Sequence, residues 1–114
     1  MNIIHPEIIS ESVDSNRAEF EFRVPQELVY LQGHFPGEPV LPGVVQVHWA
    51  IQFASERLGV PPAFTGMEAL KFHRIIEPDT VLKLTIEVAE ETGKLYFTYA
   101  SAAGVHSQGR VLFE

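Results

Sequence analysis

The sequence contains no cysteine, few basic residues and no long apolar run. Without cysteine, disulfides and thiolate metal sites are excluded. The 8 lysines and arginines against 15 aspartates and glutamates give a net charge of −7, which argues against nucleic acid or an anionic membrane as a partner. The most apolar stretch, 44–54, is shorter than the roughly 20 residues of a bilayer span. Residues 1–12 lack the basic and apolar regions of a signal peptide, so we expect a cytoplasmic protein.

Size and composition indicate one folded domain. The chain has 114 residues, of which 46% are hydrophobic and 20% charged. Because domains have roughly 100–200 residues, we expect a single domain over residues 1–114. A chain of this length buries enough surface for a hydrophobic core without metal or disulfide cross-links.

Alternation of apolar and polar residues predicts strands on both sides of a central helix. Residues 17–24 read RAEFEFRV, with every second side chain apolar, and a turn at 14–16 links them to a partner strand at 8–13. Later stretches have the same character, with turns predicted at 91–93 and 103–104. These later strands are predicted at 67–76, 80–91, 94–102 and 105–114.

Residues 42–58 form a mostly apolar run that predicts a long helix. Pro42 suits the first helical position, and Gly59 followed by prolines suits the end. Apolar residues cover most of the helix circumference, which is typical of a helix buried on most sides. The prediction is an α+β fold in which an antiparallel sheet of five to six strands wraps around one long central helix.

The loop before this helix is rich in glycine and proline. Residues 33–43 read GHFPGEPVLPG, and prolines in such a loop restrict the backbone around His34. Leu41 cannot cap the helix as Ser, Thr, Asp or Asn would, so backbone N–H groups at Gly43 are available to an oxygen carrying negative charge. From the residues alone, His34 is either a structural hydrogen-bonding group or a reactive one.

Two segments carry a resemblance to a known family. GHFPGEPVLPGVVQ, residues 33–46, resembles the active-site signature of the hotdog-fold 3-hydroxyacyl-(acyl-carrier-protein) dehydratases of fatty-acid synthesis. LKFHRIIEPDTVLKL, residues 70–84, is similar to the strand that follows the helix in that family. The run GVVQVHWA at 43–50 and the chain length resemble the ApeI-like group associated with aryl-polyene gene clusters.

The resemblance implies a role for four residues. His34 corresponds to the histidine that removes the C2 proton of a 3-hydroxyacyl thioester, and Gly43 to the glycine whose N–H polarises the thioester carbonyl. His48 stands where the dehydratases have an aspartate or glutamate that protonates the departing hydroxyl. Gln52 corresponds to the glutamine that orients this acidic residue, and it lies one helical turn from His48.

The histidine at position 48 leaves three functions open. An imidazole can donate a proton near neutral pH, which supports dehydration. A neutral His48, which burial among Val47, Trp49 and Ile51 would favour, could instead assist water in thioester hydrolysis. The third possibility is a non-catalytic acyl-binding protein. Dehydration is the leading hypothesis, and a hotdog thioesterase is the alternative.

The remaining expectations concern partners. The exposed basic residues Lys71 and Arg74 are weak candidates for contact with an acidic acyl carrier protein, and coenzyme A is the other possible carrier of the thioester. The histidines show no metal-ligand spacing, and neither a metal nor a cofactor is predicted. The resemblance implies a homodimer, or an oligomer built from such dimers, in which edge strands pair and each site combines His34 of one subunit with His48 of the other.

Overall fold

The computed structural model describes residues 6–24, 41–61 and 64–113. In these stretches, two strands precede a helix and four strands follow it, with one turn of 3-10 helix between the fourth and fifth strands. The elements are β1 (Glu7–Val13), β2 (Arg17–Arg23), α1 (Gly43–Leu58), β3 (Gly66–Phe72), β4 (Val81–Ala89), the 3-10 turn (Glu90–Thr92), β5 (Lys94–Ser101) and β6 (Gly104–Leu112).

The six strands form one antiparallel sheet in the order β1-β2-β4-β5-β6-β3. The predicted alternation in β2 and β4 is confirmed, because every second side chain of each strand is buried. Phe20 and Phe22 lie opposite Leu84 and Leu82, so the apolar sides of the two strands coincide. The sheet therefore presents one continuous apolar surface, against which α1 packs.

One side of α1 faces this sheet. Its buried side chains follow the spacing of a helical stripe, and two of them make aromatic contacts with β2. The Phe53 and Phe20 rings stack with centroids 4.6 Å apart, and the Trp49 and Phe22 rings meet nearly at right angles with centroids 5.8 Å apart. The buried residues of α1 are Val45, Gln46, Val47, Trp49, Ala50, Phe53 and Ala54.

The ends of α1 depend on Pro42 and Gly59. Pro42 is the N-cap rather than the predicted first helical residue, because its ψ of 147° is extended while its carbonyl already accepts the first helical bonds. Gly59 has φ 71°, a left-handed conformation that closes the helix as predicted. Nowhere in the described stretches is a helix long and apolar enough to span a membrane.

All four strands after the helix end earlier than predicted, β5 by one residue at Ser101 and β6 by two residues at Leu112. β3 stops at Phe72 rather than at residue 76, because the N–H groups of His73 and Arg74 both turn to the carbonyl of His106. β4 stops at Ala89 because Glu90–Thr92 form the 3-10 turn, which Gly93 ends in a left-handed conformation. The corrections to β3 and β4 arise where the backbone changes direction, which the alternation of side chains does not signal.

Candidate active site

A largely apolar cavity of about 400 Å³ lies between α1 and β3. The helix contributes one stripe of residues to it, and β3 with Phe64, two residues before the strand, contributes the other wall. The lining residues are Gly43, Val44, Val47, His48 and Ile51 from α1, with Phe64, Met67, Leu70 and Phe72 opposite. Among the described residues of this lining, His48 is the one with an ionisable side chain.

Gly43 lies where the helix begins and where the cavity wall comes closest. A methyl group at this position would lie 2.8 Å from Cε1 and Cζ of the Phe72 ring, so only glycine fits without moving the ring. Pro42 accepts hydrogen bonds from the N–H groups of Val45 and Gln46 at 3.1 and 3.2 Å, and no described side chain caps the helix. Those bonds do not use the N–H groups of Gly43 and Val44. These two groups can therefore donate hydrogen bonds to an acceptor that enters the cavity.

His48 is exposed in the single chain, so the predicted burial among Val47, Trp49 and Ile51 was wrong. The correction follows from helix geometry, because His48 lies outside the stripe that faces the sheet, whereas the adjacent Trp49 is fully buried within it. Gln52 is half-buried one turn further along. Among the bonds of the described residues, none joins the side chains of His48 and Gln52.

The structure thus brings together two of the predicted site residues, Gly43 and His48, in one cavity. His34 and most of its loop lie outside the described residues. The predicted pairing of His34 with His48 across two subunits therefore stays a prediction.

The two basic candidates lie in different places. Arg74 lines a second cavity of about 500 Å³ at the start of α1, where Gly43 and Phe72 also contribute. Lys71 is exposed on β3 opposite Gln108 and lines neither of these two cavities. Only Arg74 is therefore near the helix start.

Sequence reasoning missed a buried polar cluster under this helix start. Gln46 and Ser107 are both buried, and the Ser107 hydroxyl donates to Oε1 of Gln46 at 2.5 Å. Tyr99 donates its hydroxyl to the Gln46 carbonyl at 2.6 Å, and burial raises the pKa of Tyr99 well above its usual value. The available signal was a glutamine inside an otherwise apolar run, on the side of the helix that the apolar residues assign to the core.

A second polar pair, buried His106 and half-buried Ser101, supports the segment that follows β3. The Ser101 hydroxyl lies 2.6 Å from Nε2 of His106, and Nδ1 of His106 lies 3.0 Å from the Ile75 carbonyl. His106 thus ties the β5–β6 hairpin to the chain that carries Arg74. In the described part of the chain, no three His, Asp or Glu side chains are close enough together to hold a metal ion.

A helix packed on an antiparallel sheet in this order defines a hotdog fold, and comparison with known proteins identifies the family. The sequence model of the ApeI-like family, described as ApeI dehydratase, matches residues 10–110. The chain belongs to this family. The dehydratase heterocomplex ApeI:P from Xenorhabdus doucetiae contains a chain with a TM-score of 0.88 and 30% identity, and the match covers 95% of this chain and 96% of that one.

Curated relatives are 3-hydroxyacyl-(acyl-carrier-protein) dehydratases. A 3-hydroxyacyl-(acyl-carrier-protein) dehydratase FabZ from Alkaliphilus metalliredigens is 39% identical over 66 residues, which are 52% of this chain and 45% of that protein. The enzyme of the same name from Caldicellulosiruptor saccharolyticus is 32% identical over 94 residues, covering 74% of this chain and 67% of the relative. The chain thus spans about half to two thirds of the length of these relatives.

Proposed function

We propose that this protein dehydrates a 3-hydroxyacyl thioester to the trans-2-enoyl thioester. The observation that supports this proposal is that Gly43 and His48 line one apolar cavity in a chain of the ApeI-like dehydratase family. The cavity suits an acyl chain because its lining is almost entirely hydrophobic. The helix start offers N–H groups to the thioester carbonyl, and His48 offers a proton.

The reaction assigns one role to each of three residues. His34 accepts the C2 proton, and the electron pair of the broken C–H bond forms the C2=C3 double bond. The Gly43 N–H donates to the thioester carbonyl oxygen, where negative charge develops as the proton leaves. His48 donates a proton to the C3 hydroxyl as the C3–O bond breaks, so that water departs. His34 gains a proton and His48 loses one, and exchange with solvent restores both.

The exposure of the cavity supports a site that is completed by a second copy. In the single chain, Val44 is 77% exposed, Phe72 50% and Met67 45%, and β3 is an edge strand. Exposed apolar residues beside a free strand edge are typical of an interface between subunits. We therefore propose a homodimer in which β3 edges meet and His34 of one subunit reaches the cavity of the other.

Two exposed basic residues indicate which molecule carries the thioester. Arg74 and Lys71 are exposed basic residues in a chain of net charge −7, and both lie at or after the end of β3. We propose that they attract an acidic acyl carrier protein, with coenzyme A as the other possible carrier. The cytoplasmic location expected from the sequence stays a prediction.

The test is to incubate the protein with a 3-hydroxyacyl thioester and to follow both enoyl absorbance and free thiol. Enoyl product without thiol supports dehydration. Thiol release contradicts it in favour of hydrolysis, and the absence of both products indicates a binding protein. His34→Ala should abolish turnover, and full activity of that variant would contradict the assigned base.

A separate measurement tests the assembly. Light scattering should give twice the mass of the 12.8 kDa chain, and a strict monomer would contradict the shared site. Comparing carrier-protein and coenzyme A thioesters, with and without Arg74→Ala, tests the carrier. If Arg74→Ala lowers activity only on the carrier-protein substrate, the proposed contact is supported. An equal change in activity on both substrates contradicts it.

A further inference from the structure

Gln46 is a buried polar side chain on the side of α1 that faces the sheet, and only 3% of the residue is exposed. Both ends of its amide are hydrogen-bonded. Nε2 donates to the Leu41 carbonyl at 3.2 Å, and Oε1 accepts the Ser107 hydroxyl at 2.5 Å. Since a buried amide is costly unless its groups are paired, these two bonds determine one orientation of the side chain.

The backbone on both sides of the helix start is held by the same cluster. Tyr99 and Ser107 are register partners on β5 and β6, and the Tyr99 hydroxyl donates to the Gln46 carbonyl at 2.6 Å. The N–H of Leu41 donates to the Ile76 carbonyl at 2.8 Å. Leu41 is therefore bonded through its N–H to the chain after β3 and through its carbonyl to Gln46.

This arrangement differs from ordinary helix capping in one respect. A Ser, Thr, Asp or Asn cap accepts a hydrogen bond from an N–H group of the first turn and so occupies it. Gln46 instead donates to a carbonyl before the helix, and Pro42 contributes no side-chain acceptor. The helix start is thus fastened to the sheet while the N–H groups of Gly43 and Val44 stay unused by these bonds.

We propose that Gln46 is a positioning residue that holds the Gly43 N–H in place for the thioester carbonyl, an inference that rests on the proposed function. An oxyanion donor contributes only when it is preorganised at the position where charge develops. Gln46 acts through Leu41 and Pro42 and does not itself touch the substrate. Its amide is needed because the position requires a donor and an acceptor together.

The first test is Gln46→Leu, which keeps side-chain volume but removes both bonds. We expect kcat to fall about tenfold with KM within about twofold, because the displaced donor acts mainly in the transition state. Amide hydrogen exchange of Val45 and Gln46, whose N–H groups bond to Pro42, should quicken, while exchange in β4 stays as in the wild type. Wild-type kcat would overturn the inference, whatever the exchange rates show, and wild-type exchange would reject the anchoring of the helix start.

The second test is Gln46→Glu, which distinguishes positioning from mere packing. A protonated carboxyl can donate to the Leu41 carbonyl and accept from Ser107, as the amide does, whereas a carboxylate has no donor. Burial raises the pKa of such a carboxyl, so the donor is present at low pH and lost as pH rises through that pKa. The ratio of variant to wild-type kcat should approach one at acidic pH and fall at alkaline pH. A ratio that does not change with pH overturns the inference.

The matched control is Gln108→Glu, the same change at a half-exposed position next to Ser107 on β6. Its kcat ratio should be close to one at every pH with a coenzyme A substrate. Melting midpoints measured at each pH confirm that every rate belongs to folded protein. If the wild type itself forms no enoyl product, the proposed function fails, and unchanged exchange at Val45 and Gln46 in Gln46→Leu would then reject the anchoring role as well.

Discussion

The two sides of α1 differ in what their apolar residues do. On the sheet side, Trp49 is fully buried and the Phe53 ring stacks on β2. On the cavity side, Val44 is 77% exposed in the single chain and His48 lies open beside it. The sheet side stabilises the fold, whereas the cavity side leaves apolar surface and a titratable group free for a ligand and a second copy. Substitutions on the two sides should therefore separate stability from activity.

The largest effect is expected on the sheet side. Trp49→Ala should lower the free energy of unfolding by about 3–5 kcal/mol, because removing this large side chain leaves a cavity that the surrounding sheet cannot fill. Denaturant unfolding measures the loss. Val44→Ala, an apolar truncation on the cavity side of the same helix, should cost no more than about 1.5 kcal/mol, because the lost methyl groups contact only the cavity and the proposed second copy. Equal losses in the two variants would show that the two sides do not differ as described.

The corresponding change on the cavity side is His48→Ala. We expect kcat to fall about 100-fold, the usual contribution of a general acid, with unfolding free energy within about 0.5 kcal/mol of the wild type. His48→Glu should preserve or raise dehydration, since the resemblance implies an aspartate or glutamate at this position. Glu56→Ala, exposed on the same helix, is the control and should keep wild-type kcat. Wild-type kcat in His48→Ala would show that His48 is not the general acid.

A smaller effect is expected where the two sides meet, at the start of α1. Gly43→Ala should lower kcat about tenfold, because the new methyl group pushes the Phe72 ring into the cavity and disturbs the oxyanion donor. Stability should change by less than about 1 kcal/mol, since the half-exposed ring can move. Adding Phe72→Leu should recover part of the lost rate. A double variant that is no faster than Gly43→Ala would show that the ring is not the cause.

The smallest effect is expected at Tyr99, which lies on β5 and donates a hydrogen bond to the buried side of α1. Tyr99→Phe should cost about 1 kcal/mol at neutral pH through loss of the bond to the Gln46 carbonyl. Burial raises the pKa of folded Tyr99 above the unfolded value of about 10, so the wild type should lose stability as pH rises above about 10. The variant should lose less over that range. Tyr96→Phe, at an exposed position, is the control, and an identical alkaline decline in the Tyr99 and Tyr96 variants would contradict the assignment.

Much of the fold was predictable because burial imposes a period on the sequence. The alternation in β2 and β4 and the glycine that ends α1 were read correctly from residue type. The end of β3 was predicted four residues too late, because it depends on hydrogen bonds to His106 on a strand more than thirty residues away. The burial of His48 was also predicted wrongly, since an apolar neighbourhood in sequence does not say which side of a helix meets the sheet.

The element order, the core pattern and, through the glycine- and proline-rich motif, the family can all be inferred from residue types. These properties depend on local conformational preferences and on periodic burial, which residue types encode directly. Three features of the site emerge only from the folded chain: His48 opens into the cavity, Phe72 lies against Gly43, and Gln46 connects the helix start to Ser107. Each of these is a contact between distant segments, and its geometry is set by the packing of α1 on the sheet rather than by the residues next to it in the chain.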